Sequence, residues 1–183
     1  MTRFFLSFLF FCAAWVLPAQ AMTVEEAYAS IPHQRTPFSP AASRLSPAQA
    51  DALARLFALS DRATVLRVQG LQALHFGDSP RLRGLLPDYR ALLSDFQSLP
   101  SSEQTQAASG LVRTAIEQHR KFFETRLQAG SAGGGQATAF TPDVYQASEK
   151  LKQAYGLLMT AFPKETAGNR QAFFDHLCAL DFL

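Results

Sequence analysis

The sequence predicts an all-α protein, an up-down-up-down four-helix bundle with an N-terminal strap and a short C-terminal helix, on three observations. Apolar residues recur at the three-and-four spacing of a single helical face in four long segments. The connections after the first two of these segments are short, which makes consecutive helices antiparallel neighbours. No stretch alternates with the period of a strand, and no internal repeat is visible.

Taken in order, residues 1–21 read as an export signal. Arg3 supplies the early positive charge, Phe4 to Val16 is almost continuously apolar, and Ala19-Gln20-Ala21 is a small-x-small cleavage site, so the mature chain is expected to begin at Met22. The apolar run is short for a membrane span and no later segment approaches that length, so no span is expected after cleavage. Cys12 is a poor lipoprotein cysteine, because Phe10 and Phe11 stand where such a site wants small residues. The Arg3 head, the cleavage site and the preference for Arg over Lys together point to a bacterial, periplasmic protein.

Residues 22–45 form a short helix and a Pro-rich strap. Thr23 and Glu26 make a capping box for a helical turn to Ser30. Pro32, Pro37 and Pro40 then hold the chain extended, with Ile31 and Phe38 as its apolar pins.

Residues 46–183 form the bundle. Its first long helix is signalled by Ser46-Pro47 with Gln49 as a capping box and by Gly77 as a stop. Leu53, Leu56, Phe57, Ala63, Leu66, Val68, Leu71 and Leu74 make its apolar face. A second helix opens at Asp78-Ser79-Pro80 and carries Leu82, Leu85, Tyr89, Leu92, Phe96 and Leu99, with a kink or break expected before Pro87. Ser101-Ser102 caps a third, to Ala129, buried through Ala108, Val112, Ala115, Ile116, Phe122, Phe123 and Leu127. Its outer face pairs Arg113 with Glu117, Glu117 with Lys121, and Arg120 with Glu124. Residues 130–140 are Gly- and Ala-rich and read as a linker or lid. Thr141-Pro142 caps a fourth helix, with Val144, Ala147, Leu151, Ala154, Tyr155, Leu158 and Phe162 inward, and Pro163 ends it. A last helix, Asn169 to Leu180, carries Phe173, Phe174 and Leu177 over one end or along a groove. In shape this resembles the cytochrome c-prime and cytochrome b-type bundles, but no Cys-x-x-Cys-His is present, and that motif's haem attachment is excluded.

Composition narrows the partners. The chain carries seventeen Lys and Arg against fifteen Asp and Glu, near neutrality, which argues against a nucleic-acid partner. Of two cysteines only Cys178 follows the signal, so the mature chain has no internal disulfide. His33, His75, His119 and His176 show no ligand spacing on one helix face, so no metal site and no cofactor is expected. The remotest alternative is non-covalent haem held by His176 with Met22 or Met159. No Gly-x-Ser-x-Gly, His-Glu-x-x-His or phosphate loop occurs, and the balance leans away from an enzyme.

The informative residues are polar ones on apolar faces. At 100° per residue Arg67 falls near the middle of the first helix's apolar face, among Ser60, Ala63, Thr64 and Gly70; His119 centres the third, with Arg126 close by, and Tyr89 and Tyr155 point inward from the second and fourth. At 1.5 Å per residue, Arg67 and His119 lie about 14–15 Å below the shared loop end, Tyr89 about 14 Å and Tyr155 about 20 Å. Asp88 and Asp95 are the expected acids for Arg67. Two readings follow: a self-satisfied network that fixes helix register, or a pocket with Arg67 as anion anchor, His119 and the tyrosines as hydrogen-bonding groups, and 130–140 as lid. The expectation is an exported binding or interaction module for a small anionic ligand or a protein partner, the alternative a purely structural or partner-binding bundle.

Overall fold

The computed structural model describes residues 21–100, 103–131 and 142–182. The signal up to Gln20 (with Cys12), the Ser101-Ser102 and Thr141 caps and the lid expected at 130–140, beyond Ser131, lie outside the described residues. Among those residues every regular element is helical: α1 (Val24–Ala29), a 3-10 turn (Pro40–Ala42), α2 (Pro47–His75), α3 (Ser79–Gln97), α4 (Glu103–Ser131), α5 (Pro142–Ala161) and α6 (Ala167–Cys178). No helix among them is long and apolar enough to cross a membrane.

The helix ends follow from their caps. Thr23 with Glu26, and Ser46 with Gln49, close both expected capping boxes. Gly77, at φ 66°, donates to Leu74 O, while Asp78 N reaches back to Ala73 O at 2.8 Å, so α2 ends in a Schellman turn. The Asp78 side chain then accepts from Arg81 N and starts α3 after a turn of three residues, Phe76, Gly77 and Asp78. The break expected before Pro87 does not occur: α3 is continuous through it, with Leu85, Leu86 and Tyr89 buried on either side.

Antiparallel α2 and α3 are read from Arg55 beside Leu99, Arg62 bonded to Asp95, and Leu66 beside Asp88. Gln49 meets Gln104 and Gly70 meets Phe123, so α4 runs parallel to α2. A Cβ on Gly70 would stand 2.4 Å from the Phe123 ring, which is why that position must be glycine for α4 to close on α2. Of the three pairs expected on the outer face of α4, Arg120 with Glu124 forms, and Arg120 also takes Glu117, the acid expected for Arg113 and Lys121.

The terminal helix lies along the bundle, not over its end. Phe173 meets Phe57, His176 faces Asp61, and Ala179 O accepts from Arg67, so α6 runs parallel to α2 while also packing on α5. The strap descends the α2/α6 seam in the opposite sense, from Tyr28 at Asp61 to Phe38 at Phe57 and Ser43 at Glu165. Phe38 is the apolar pin expected of it; most of the other fixings are hydrogen bonds.

Candidate functional site

Arg67, His119 and Tyr89 come together in the core, around a residue that sequence periodicity did not place there. Phe182, beyond the end of α6, turns inward: its ring lies 4.5 Å from that of His119, 5.4 Å from Phe122, 6.0 Å from Phe123 and 5.0 Å from the Arg67 guanidinium. Tyr89 closes the layer against Phe123 at 5.8 Å. Tyr155 does not join it. It is half-buried against Phe174 on the other side of α6, because α6 covers the α5 edge that carries it. Arg126 lies over the Phe122 ring at 5.0 Å, one residue removed from Phe182.

The layer is incompletely satisfied. Among the described residues, Arg67 Nη1 donates to Ala179 O at 3.2 Å, whereas Arg67 Nε, Tyr89 Oη and both ring nitrogens of His119 are buried with no hydrogen-bond partner. Neither expected acid reaches Arg67. Asp95 is taken by Arg62 at 2.6 Å and Asp88 is exposed, since both lie at the border of α3's apolar face, on the solvent side of its seam with α2. Burial pushes the Arg67 guanidinium below its ordinary pKa, with Tyr89 and Asp181 acting in the opposite sense. Burial also drives the Tyr89 phenol up, and burial together with the Arg67 charge drives His119 well below the usual imidazole range, so His119 is neutral in the folded protein.

A histidine kept neutral in the fold but free to take a proton when unfolded makes the unfolded state bind more protons, so its stabilisation is complete above about pH 6.5 and is lost as pH falls toward the folded value. His119→Leu should flatten the fall in stability between about pH 6.5 and 5, while leaving stability at pH 8 unchanged or raised. Urea titrations of both proteins across that range check it.

Arg67 opens on a cavity of about 410 Å³, walled by Ile31, Pro32 and His33 of the strap and by Phe174, Cys178, Asp181 and Phe182 of α6 and the C-terminal segment. Arg67 is 7% exposed. Asp181 belongs to the wall but accepts from the Ser148 hydroxyl at 2.8 Å. Burial, and then the charges of Asp181 and Asp175, raise the Cys178 thiol to about 11, so it is no activated nucleophile.

A second polar cluster fixes the strap that walls this cavity, and sequence reading passed over its central residue. Asp61 receives Tyr28 Oη at 3.0 Å and Arg35 Nη2 at 2.6 Å, with His176 Nε2 3.5 Å away. Asp175 accepts from Thr36 N, with His33 3.5 Å from its other oxygen; Asn169 exchanges two bonds with Ser39, and Glu165 takes Ser43 and Arg44 N. His176 is thereby committed: Nδ1 lies 2.8 Å from Ala172 O, Nε2 faces Asp61, and Phe57 covers the ring at 4.7 Å. The haem pairing of His176 with Met22 or Met159 is not assembled, since its imidazole has no free nitrogen and Met22 lies in a groove with Arg62 and Asp88. Among the described residues no group of three or more His, Cys, Asp or Glu is placed to hold a metal. No protein-family model, curated protein or solved structure matches this chain.

Proposed function

We propose that this chain is an exported, periplasmic binding protein: an up-down-up-down four-helix bundle over residues 46–183, matured by cleavage after Ala21, that holds a small anionic molecule in the cleft between the strap, α2 and the C-terminal segment. The supporting observation is Arg67, a buried guanidinium with a single backbone acceptor and no ion pair among the described residues, beside a cavity large enough for a small molecule. A buried charge without a counter-ion is costly, and an anion entering the cleft would remove that cost. In this reading Arg67 is the anchor and His33 a polar wall group. His119 and Tyr89 lie behind Phe182, while Tyr155 meets the site only through Phe174 and Arg126 stacks on Phe122, neither lining the cavity.

The contacts of Phe182 favour a second reading for the inner half of the layer. Packed on His119 and Arg67, Phe182 fills the space between the helices as a core residue would, which makes His119 and Tyr89 part of a structural layer. Melting curves with carboxylates and phosphates at millimolar concentration separate the two. Binding requires a ligand-dependent rise in Tm for wild type that Arg67→Met abolishes; no rise with any anion leaves the structural bundle alone.

A further inference from the structure

Resting on the anion site at Arg67, we infer that its ligand is a single-chain amphiphile with one carboxylate, a medium-chain fatty acid, whose head meets Arg67 and whose tail runs between α5 and α6. A second cavity of about 100 Å³ adjoins the Arg67 cavity, sharing Phe174, Cys178 and Asp181 as wall residues, and is otherwise lined by Leu151, Lys152, Tyr155 and Leu177. Phe174 stands at the junction, 42% exposed, its ring 6.0 Å from His33 on one side and 5.7 Å from Tyr155 on the other. A compact hydrophilic anion would leave this apolar path facing water, whereas an alkyl tail would cover it.

The head group follows from charge. Arg67 has already spent Nη1 on Ala179 O, and Asp181 in the same wall opposes a second negative charge, so a monoanion fits better than a phosphate dianion. Lys152 also borders the smaller cavity, but its ammonium is bonded to Glu149 at 2.9 Å and lies in solvent. Among the described residues lining the two cavities, Arg67 is then the Arg or Lys with no salt bridge, and it lines only the larger cavity, which sets the ligand's direction.

Calorimetric titration of the purified protein with hexanoate, octanoate and decanoate, each below its micellar concentration, tests this. One equivalent should bind, with affinity rising about four-fold per added methylene, the equivalent of about 0.8 kcal/mol. Phe174→Gln, at an exposed position, should weaken decanoate about ten-fold and hexanoate hardly at all. Arg67→Met should abolish binding of all three, and decyl phosphate should bind less well than decanoate. A flat series that Arg67→Met still abolishes overturns the amphiphile and keeps the anion site. Chain-length-dependent binding that ignores Arg67→Met, or several equivalents bound, overturns the anion anchor as well. Tighter binding of decyl phosphate overturns the carboxylate assignment.

Discussion

Asp61→Ala is expected to destabilise the protein by about 3–5 kcal/mol, as loss of one partner from a buried ionic cluster does. Asp61 is 6% exposed and is the acceptor on which Tyr28, Arg35 and His176 converge from α1, the strap and α6. Its removal takes the carboxylate acceptor from the Tyr28 hydroxyl and leaves Arg35, among the described residues, with the exposed Glu25, 3.7 Å away, as its acid and the Tyr28 ring beneath it. Asp61→Asn keeps the shape and should cost less, but it should also change the acid limb of stability. Burial alone pushes the Asp61 carboxyl up; hydrogen bonds from His176 and Arg35, with their charges, more than reverse this, and the net direction is down. Glu165 behaves alike, burial being outweighed by the bonds from Ser43 and from Thr166 and Arg44 N–H. A carboxyl lowered on folding contributes stability above its unfolded pKa of about 4, lost as pH falls through the folded value. Urea unfolding at pH 7 and pH 3 should therefore show wild type losing more stability than Asp61→Asn between the two.

Phe173→Ala should cost about as much, roughly 3–5 kcal/mol, for a different reason. Phe173 is fully buried, and its ring lies 5.6 Å from Phe57, 6.1 Å from Phe38 and 6.4 Å from Phe162. One side chain thus joins α6 to α2, to the strap and to the end of α5. Little can collapse into the gap, since three separate elements would have to move together. Phe38→Ala, at a half-buried position, should cost less, and the double variant should fall short of the sum because the two rings share a contact. Denaturant titrations of the three variants measure both effects.

The four long helices were legible because their apolar stripes and caps are local, and local signals survive in a sequence. Arg67 and His119 could be found for the same reason: a charged or polar residue in an apolar stripe needs only periodicity to be noticed. Asp61 carried that signal too, standing four residues after Phe57 and three before Thr64, and was passed over among the polar residues of α2. Contacts to the C-terminal segment could not be read. α6 is covered by α2, α5 and the strap, so Asn169, Asp175 and His176 are buried beside Phe173 and Leu177 while Phe174 is exposed with Arg170 and Gln171, and polarity therefore does not separate the inner face from the outer one. Phe182 follows the helix and has no period at all. The acids proposed for Arg67 failed because Asp88 and Asp95 sit at the border of α3's stripe, where a small rotation decides between core and solvent.

The ligand-free stability of Arg67→Met measures directly whether the Arg67 guanidinium is held without an ion pair. Met keeps most of the apolar stem and removes the charge, at the cost of the contact with Phe182 and the bond to Ala179 O. If the guanidinium awaits an anion, the variant should unfold within about 1 kcal/mol of wild type, or be the more stable of the two. A loss of about 3–5 kcal/mol in the same urea titration, the signature of a buried ion pair broken from one side, would contradict it.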